Sequence, residues 1–157
     1  METLKKFGIN VKKDGIENAA IYSVACVFSL LERQIIEYLK PYNLSPSQFN
    51  ALMIIKHVGK DKGLSQIEIG DKLIVSASNM TRLLDKLTKE GFVERYAQQH
   101  DRRVNLIKIT EKGSKLLDNV WPGYLENIKH LTCDLDKNEL LEITTLMVRW
   151  FDALDKQ

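Results

Sequence analysis

A chain of 157 residues, 44% hydrophobic and 28% charged, has enough apolar side chains for one core, and reads as one domain or one domain with helical extensions. Its net charge of +2 is too small to identify a partner, and no apolar run approaches the roughly 18 residues that cross a membrane. Residues 1–14 carry Lys5, Lys6, Lys12 and Lys13 without the apolar centre of a secretory signal, so a cytoplasmic protein with no membrane partner is expected.

The charge is unevenly spread. Residues 1–60 hold 8 Lys+Arg against 5 Asp+Glu, residues 61–115 hold 11 against 8, and residues 116–157 hold 4 against 8. The middle of the chain suits a polyanion and the C-terminal part does not. Cys26 and Cys133 stand far apart and outside any Cys-x-x-Cys pair, which argues against a disulfide framework.

Helix starts are marked by capping boxes, in which a side chain and a backbone N–H at each end of one turn satisfy each other. Asp14 with Glu17 begins a first helix near residue 15, its apolar stripe carrying Ala19, Tyr22, Cys26, Leu30 and Tyr38; Pro41 and Asn43 close it. Ser45-Pro46-Ser47-Gln48 opens the second, with Leu44 and Phe49 as the apolar staple, and Gly59 and Gly63 bracket the charged turn that follows. Ser65 with Glu68, stapled by Leu64 and Ile69, starts a short helix over about 66–73, where Gly70 is expected to admit a neighbouring helix. Ser76, with Val75 and Met80, starts a helix over about 77–90 that Gly91 terminates.

Two β-rich runs follow, 92–96 and 104–109, the one convincing strand pair, joined by the polar tip Gln98-Gln99-His100-Asp101-Arg102-Arg103. Thr110 caps a helix from about 111, which Trp121-Pro122-Gly123 should kink or split. Asp136 with Glu139 opens the last helix, about 137–155. It is apolar over more than one stripe, so one face can meet its own domain while the rest needs a partner.

The central order is helix, short helix, tight turn, helix, then a hairpin with a charged tip. Two short helices joined by a tight turn set the second to enter a major groove. In the helix at 77–90, Met80, Leu83, Leu84 and Leu87 lie at core spacing. The other side offers Ser78, Asn79, Thr81, Arg82, Asp85, Lys86 and Lys89, with Ser76 at the cap. Asn pairs bidentately with adenine, Arg with guanine, and a Thr methyl meets a thymine methyl. The bland alternative is a solvated face of an amphipathic helix. Arg102 and Arg103 on a short turn suit a minor groove, with Asp101 placed to orient a guanidinium. A solvated hairpin tip is the alternative there, and the helix pair just before it favours DNA.

Residues 44–116 resemble the winged-helix core of the MarR family of bacterial regulators, and the flanking helices resemble its dimerisation region. The most specific stretches are Ser76 through Leu87, Glu90-Gly91-Phe92-Val93-Glu94-Arg95, Asp101-Arg102-Arg103 and Ile107 through Gly113. The resemblance implies a mainly α fold of the α+β winged-helix kind. Residues 1–43 would form an arm and first dimerisation helix, 44–116 the DNA-binding domain, and 117–157 the C-terminal dimerisation helices. It implies that Ser78, Asn79, Thr81 and Arg82 lie at base or phosphate contacts and that Arg103 is the wing arginine, braced by Asp101. The expected protein is a repressor that binds a pseudo-palindromic site in double-stranded DNA as a homodimer. Many relatives release DNA when a small-molecule effector binds. Tyr22, Tyr38, Tyr42, Met53 and Trp121 are candidates to line such a pocket, although aromatic and sulfur side chains are more often core.

Peroxide-sensing relatives carry a reactive cysteine at a position that falls near Ile21, more than one turn before Cys26. Cys26, amid Val24, Ala25, Val27 and Phe28, is expected to be buried and inert. His57, His100 and His130 fall on separate elements without metal-ligand spacing, so neither a metal nor another cofactor is expected. No Gly-rich phosphate loop, His-Glu-x-x-His run or Gly-x-Ser-x-Gly elbow occurs, which argues against an enzyme. A winged helix that has turned to protein partners is disfavoured by the presence of Arg82, Asp101 and Arg103.

Overall fold

The structure, a computed structural model, describes residues 2–73, 77–97 and 105–156, and for Ala77, Ser78 and Asn105 the backbone alone. Two four-residue helices come first, α1 (Glu2–Lys5) and α2 (Val11–Asp14), too short for apolar periodicity to reveal. Asp14, expected to cap the next helix, belongs to α2: its carboxylate accepts from the Asn10 backbone N–H at 2.7 Å, while Asn10 caps α2. Gly15, at φ +84°, takes the cap position of α3 (Ile16–Leu39), with no side-chain bond.

A single 3-10 turn, 40–42, closes α3, with Asn43 in the left-handed region as expected of an asparagine stop. Only Ala19 and Leu39 of α3 are buried in the chain. Cys26 is half-buried rather than buried, because its apolar neighbours Val24, Val27 and Phe28 are themselves exposed. By length and composition Ile16–Tyr42 is apolar enough to cross a membrane. It contains no long unbroken apolar run, because Ser23, Ser29, Glu32 and Arg33 interrupt the stretch while its mean hydropathy stays high.

The capping boxes on Ser45 and Ser65 form in full. Ser45 starts α4 (Pro46–Ile54), with the staple residues Leu44 and Phe49 both buried, and one π-helical turn, 55–59, extends it. A two-residue strand β1 (Leu64–Ser65) then leads into α5 (Gln66–Gly70), so that Ser65 is both strand and cap. Glu68, the reciprocal member of that box, has its carboxyl held below the usual range by the Ser65 backbone N–H first and the Ser65 hydroxyl second. Next come α6 (Ala77–Lys89), β2 (Val93–Ala97), β3 (Asn105–Ile109), α7 (Glu111–Leu131) and α8 (Lys137–Leu154).

The sheet has three antiparallel strands in the order β1-β3-β2, one more than the sequence suggests, because two residues are too few to show alternation. The register pairs Val93 with Ile109 and Arg95 with Ile107 on one side, and Leu64 with Ile107 on the other. Val93 and Ile107 point into the core with Leu52, Ile69, Leu84 and Leu117.

Gly91 ends α6 at φ +75°, with Phe92 N–H reaching the Leu87 carbonyl at 3.0 Å, a Schellman closure. Thr110 joins that end to the next helix. Its hydroxyl donates to the Gly91 carbonyl at 2.7 Å and accepts from Gly113 N–H at 3.1 Å. A Cβ at Gly113 would fall on the Phe92 carbonyl, so this glycine, rather than Gly70, is where a close approach demands one. A Cβ at Gly70 meets nothing within 4 Å, and the expected packing role there is not found.

The chain forms two compact units, residues 1–121 and 122–157. Pro122 does not split α7, which runs continuously through it. Immediately before the proline, Leu117 and Val120 are buried, and the Tyr38 hydroxyl donates to the Val120 carbonyl at 2.7 Å; tertiary contacts thus hold the helix where propensity would release it. In α8 the Asp136 box forms in full, yet no residue is buried. Leu141, Val148, Phe151 and Leu154 are all more than half exposed, while Leu140 and Trp150 are half-buried.

Two expectations follow. Gly113→Ala should lower unfolding free energy by about 1–3 kcal/mol, since the neighbour it strikes is backbone, whereas Gly70→Ala should raise it by about 0.5–1 kcal/mol. Urea denaturation of the two variants checks the contrast, and a tolerated Gly113→Ala would refute the packing. Burial, with Tyr42 adding to it, pushes the Tyr38 phenol up to about 12 from 10.0. Its contribution to stability is complete below pH 10 and is lost as pH rises towards 12. Tyr38→Phe should remove a phenolate step near pH 12 in a spectrophotometric titration and flatten the alkaline loss of stability.

Candidate nucleic-acid interface

Helix α6 is amphipathic by sequence, and its packing decides which side remains available. Met80, Leu84 and Leu87 are buried at 2% exposure or less, as their spacing requires, while Leu83 is half-buried at the edge of the stripe. Burying three such side chains contributes about 1.5–3 kcal/mol each, enough to fix the rotation of the helix about its axis. The opposite side, with Asn79, Thr81, Arg82, Asp85, Lys86 and Lys89, is exposed. These residues are brought together as predicted. Of Ser78 only the backbone is described, in the first turn of α6. Ser76, Asp101, Arg102 and Arg103 lie outside the described residues.

The exposed face is braced from three sides. Gln66, on the first turn of α5, donates from Nε2 to the Thr81 hydroxyl at 2.8 Å. Arg95 on β2 donates to the Asp85 carboxylate at 2.7 Å, which offsets the one negative charge on a face that otherwise presents Arg82, Lys86 and Lys89. Lys86 in turn lies 3.9 Å from Glu90 and 3.5 Å from Gln48 Oε1. These contacts leave no trace in the chain's local pattern, because Gln66 and Arg95 sit on elements whose docking against α6 is set by the core. The outcome is a surface of amide, hydroxyl and cationic donors with little repulsion towards an anion.

Beside this face lies a cleft of about 550 Å³, lined on one side by Ser45, Ser47 and Gln48 at the start of α4 and on the other by Asn79, Arg82, Leu83 and Lys86. Sequence reading names Asn79, Arg82 and Lys86 but misses the α4 contribution. The Ser45–Gln48 box is visible in the chain, and its position opposite α6 is not. The aromatic candidates lie elsewhere: the Tyr38 and Tyr42 rings are 5.8 Å apart, Phe49 stacks on Trp121 at 6.5 Å, and Tyr22 is exposed on α3. Among the described residues, no three His, Cys, Asp or Glu side chains come together as a metal site.

Residues 44–104 match the sequence profile of the MarR family. The HTH-type transcriptional regulator MhqR of Bacillus subtilis (strain 168) is 32% identical over 113 residues, covering 72% of this chain and 76% of that protein. A mutant MarR from E. coli, solved in complex with operator DNA, superposes with a TM-score of 0.75 at 26% identity, over 82% of this chain and 90% of that one. The S. aureus MepR–DNA complex shares the fold, with a TM-score of 0.76 at 19% identity over 84% and 96% of the two chains. Mainly helical, with a three-stranded antiparallel sheet beside its helix-turn-helix, the chain belongs to the MarR family of winged helix-turn-helix, DNA-binding transcriptional regulators, and is not an enzyme.

Proposed function

We propose that this protein represses transcription by binding a pseudo-palindromic operator in double-stranded DNA as a homodimer, with α6 of each copy in the major groove. The observation that carries the reading is the rotation of α6: Met80, Leu84 and Leu87 inward, Asn79, Thr81, Arg82 and Lys86 outward on one exposed face. Side chains of these types read base edges and neutralise phosphates. Ser76, Ser78 and the tip residues Asp101, Arg102 and Arg103 join this site on the strength of their sequence and its family resemblance. The operator complexes of the MarR and MepR relatives support the same reading.

The dimer rests on apolar surface. Ile16, Val27, Phe28 and Leu30 on α3 and Leu141, Val148, Phe151 and Leu154 on α8 are more than half exposed in the single chain, an amount of apolar surface that water does not favour. Pairing two copies through residues 1–43 and 117–157 covers it, and also accounts for a membrane-like helix in a protein that acts on DNA. A C2 dimer presents its two recognition helices to half-sites about one helical turn apart. Action on DNA sets the working location as the cytoplasm. Release by a small-molecule effector belongs to this reading as a property of many relatives, with no pocket assigned to it.

Arg103→Ala should weaken binding to all DNA sequences and flatten the slope of log affinity against log salt by roughly 1 for each copy in the dimer. Asn79→Ala and Arg82→Ala should instead change the preferred base pairs. Selection of bound fragments from a random pool tests both, and an identical preferred sequence for all three proteins would exclude base reading by α6. In solution, light scattering should give twice the mass of the 157-residue chain, and a stable monomer would contradict the dimer.

A further inference from the structure

Thr81, exposed on the outer face of α6, is tethered to another element: Gln66 Nε2 donates to its hydroxyl at 2.8 Å. Both ends of this bond stand on backbone that the core already fixes. Gln66 opens α5, whose Ile69, one turn on, is fully buried, and the preceding Ser65 pairs with Leu106 in the sheet. Thr81 follows the buried Met80 and comes one turn before the buried Leu84. With both backbones held, the bond sets the rotamers of two side chains and does little else, since an exposed hydrogen bond contributes little to stability. The neighbours of Thr81 differ from it. Asn79 and Arg82 have no such tether among the described residues, and Lys86 has only contacts of 3.5 and 3.9 Å.

What the tether changes is the chemistry that Thr81 can offer. A threonine hydroxyl both donates and accepts, so it suits several base edges, whereas the methyl group matches only the 5-methyl of thymine. Both groups leave one Cβ, so holding Oγ1 also holds Cγ2. We infer that Gln66 is a positioning residue: by drawing the Thr81 hydroxyl towards α5, it leaves the methyl as the group offered to the major groove, and so selects a thymine there. The inference rests on the proposed DNA-binding function and adds to it a base and a second residue. Gln66 itself is a poor reader of adenine in this arrangement, because that contact uses the amide oxygen and nitrogen together and the nitrogen is turned to Thr81. Fixing the rotamer before DNA arrives also removes an ordering cost that a loose threonine would meet on binding.

The test uses the full chain and a fragment that it selects from random DNA. Thymines are replaced one at a time by deoxyuridine, which pairs alike but lacks the 5-methyl. The native chain should lose roughly three- to fivefold in affinity at one thymine of each half-site, the scale of one buried methyl group. Thr81→Ser, which keeps the hydroxyl and lacks the methyl, should lose that sensitivity. Gln66→Met, similar in length and without the amide, should melt close to the native chain and still lose most of the same sensitivity, accepting other bases at that position. Gln66→Ala repeats the test with a smaller side chain. In a Thr81→Ala background, Gln66→Met should change nothing further, since its effect passes through Thr81. If Gln66→Met weakens every fragment equally and keeps the deoxyuridine penalty, Gln66 is a structural brace and the inference fails. An effect of Gln66→Met that persists without Thr81 makes Gln66 a DNA contact in its own right, which also overturns it. Deoxyuridine penalties that are the same in Thr81→Ser as in the native chain remove the thymine contact and leave the DNA-binding function standing. Failure of the native chain to select any DNA removes the functional reading, and this inference with it.

Discussion

Burial of Met80, Leu84 and Leu87 is the constraint on which the rest of this molecule depends. A helix in isolation has no preferred rotation, and α6 gains one only because three apolar side chains on one stripe find a core made by the sheet and the neighbouring helices. Once that stripe is committed, Asn79, Arg82 and Lys86 have one place to go, which is outward. The capping box at Ser65 contributes to the same end. Because Ser65 also pairs with Leu106 in the sheet, the start of α5 is tied to β3, and the helix pair is anchored to the strands that lead to the hairpin tip. Thr110 does the corresponding work on the other side by binding the carbonyl at the end of α6 while capping α7.

Much of this was legible in the chain because it is written in short-range chemistry. Ser45–Gln48, Ser65–Glu68 and Asp136–Glu139 form boxes whose members lie three residues apart, and all three are present with both bonds made. Gly91 terminates its helix for a reason local to its own φ. What stayed hidden depends on residues distant in sequence. Strand β1 exists because Leu64 meets Ile107, Gly113 is required by the carbonyl of Phe92, and Arg95 finds Asp85 only after the wing strand docks. Gly70 shows the converse error, since a glycine near a helix pair suggests a tight crossing and none is there. Asp14 shows a similar ambiguity: a carboxylate three residues before a glutamate fits a cap, but the Asn10 N–H, four residues earlier, takes it instead.

The candidate site divides along the same line. Its inventory on α6 could be read from helical periodicity, whereas the α4 wall of the cleft could not. Ser47 carries no pattern of its own, and Gln48 reads as a capping residue, which it is. Only the packing of α4 against α6 turns that capping residue into a buried amide with one end satisfied and the other not. A cap that is complete in its local bonds is thus incomplete in its tertiary setting, and no sequence window of one helix can reveal the difference.

A single patterning rule explains both the polar outer face of α6 and the apolar surface of α3 and α8. In residues 44–121 most apolar positions turn inward, Ile67 and Val58 being exposed exceptions, and the outer face of α6 is polar and cationic. In α8 and most of α3 the apolar positions have no core to turn towards, so the surface left over is hydrocarbon. The charge distribution follows the same partition: residues 61–115 carry the surplus of cations, and residues 116–157 the surplus of anions. The polar outer face of α6 and the exposed apolar surface of α8 are therefore two outcomes of one rule: what a helix shows to water depends on whether a core takes up its apolar stripe.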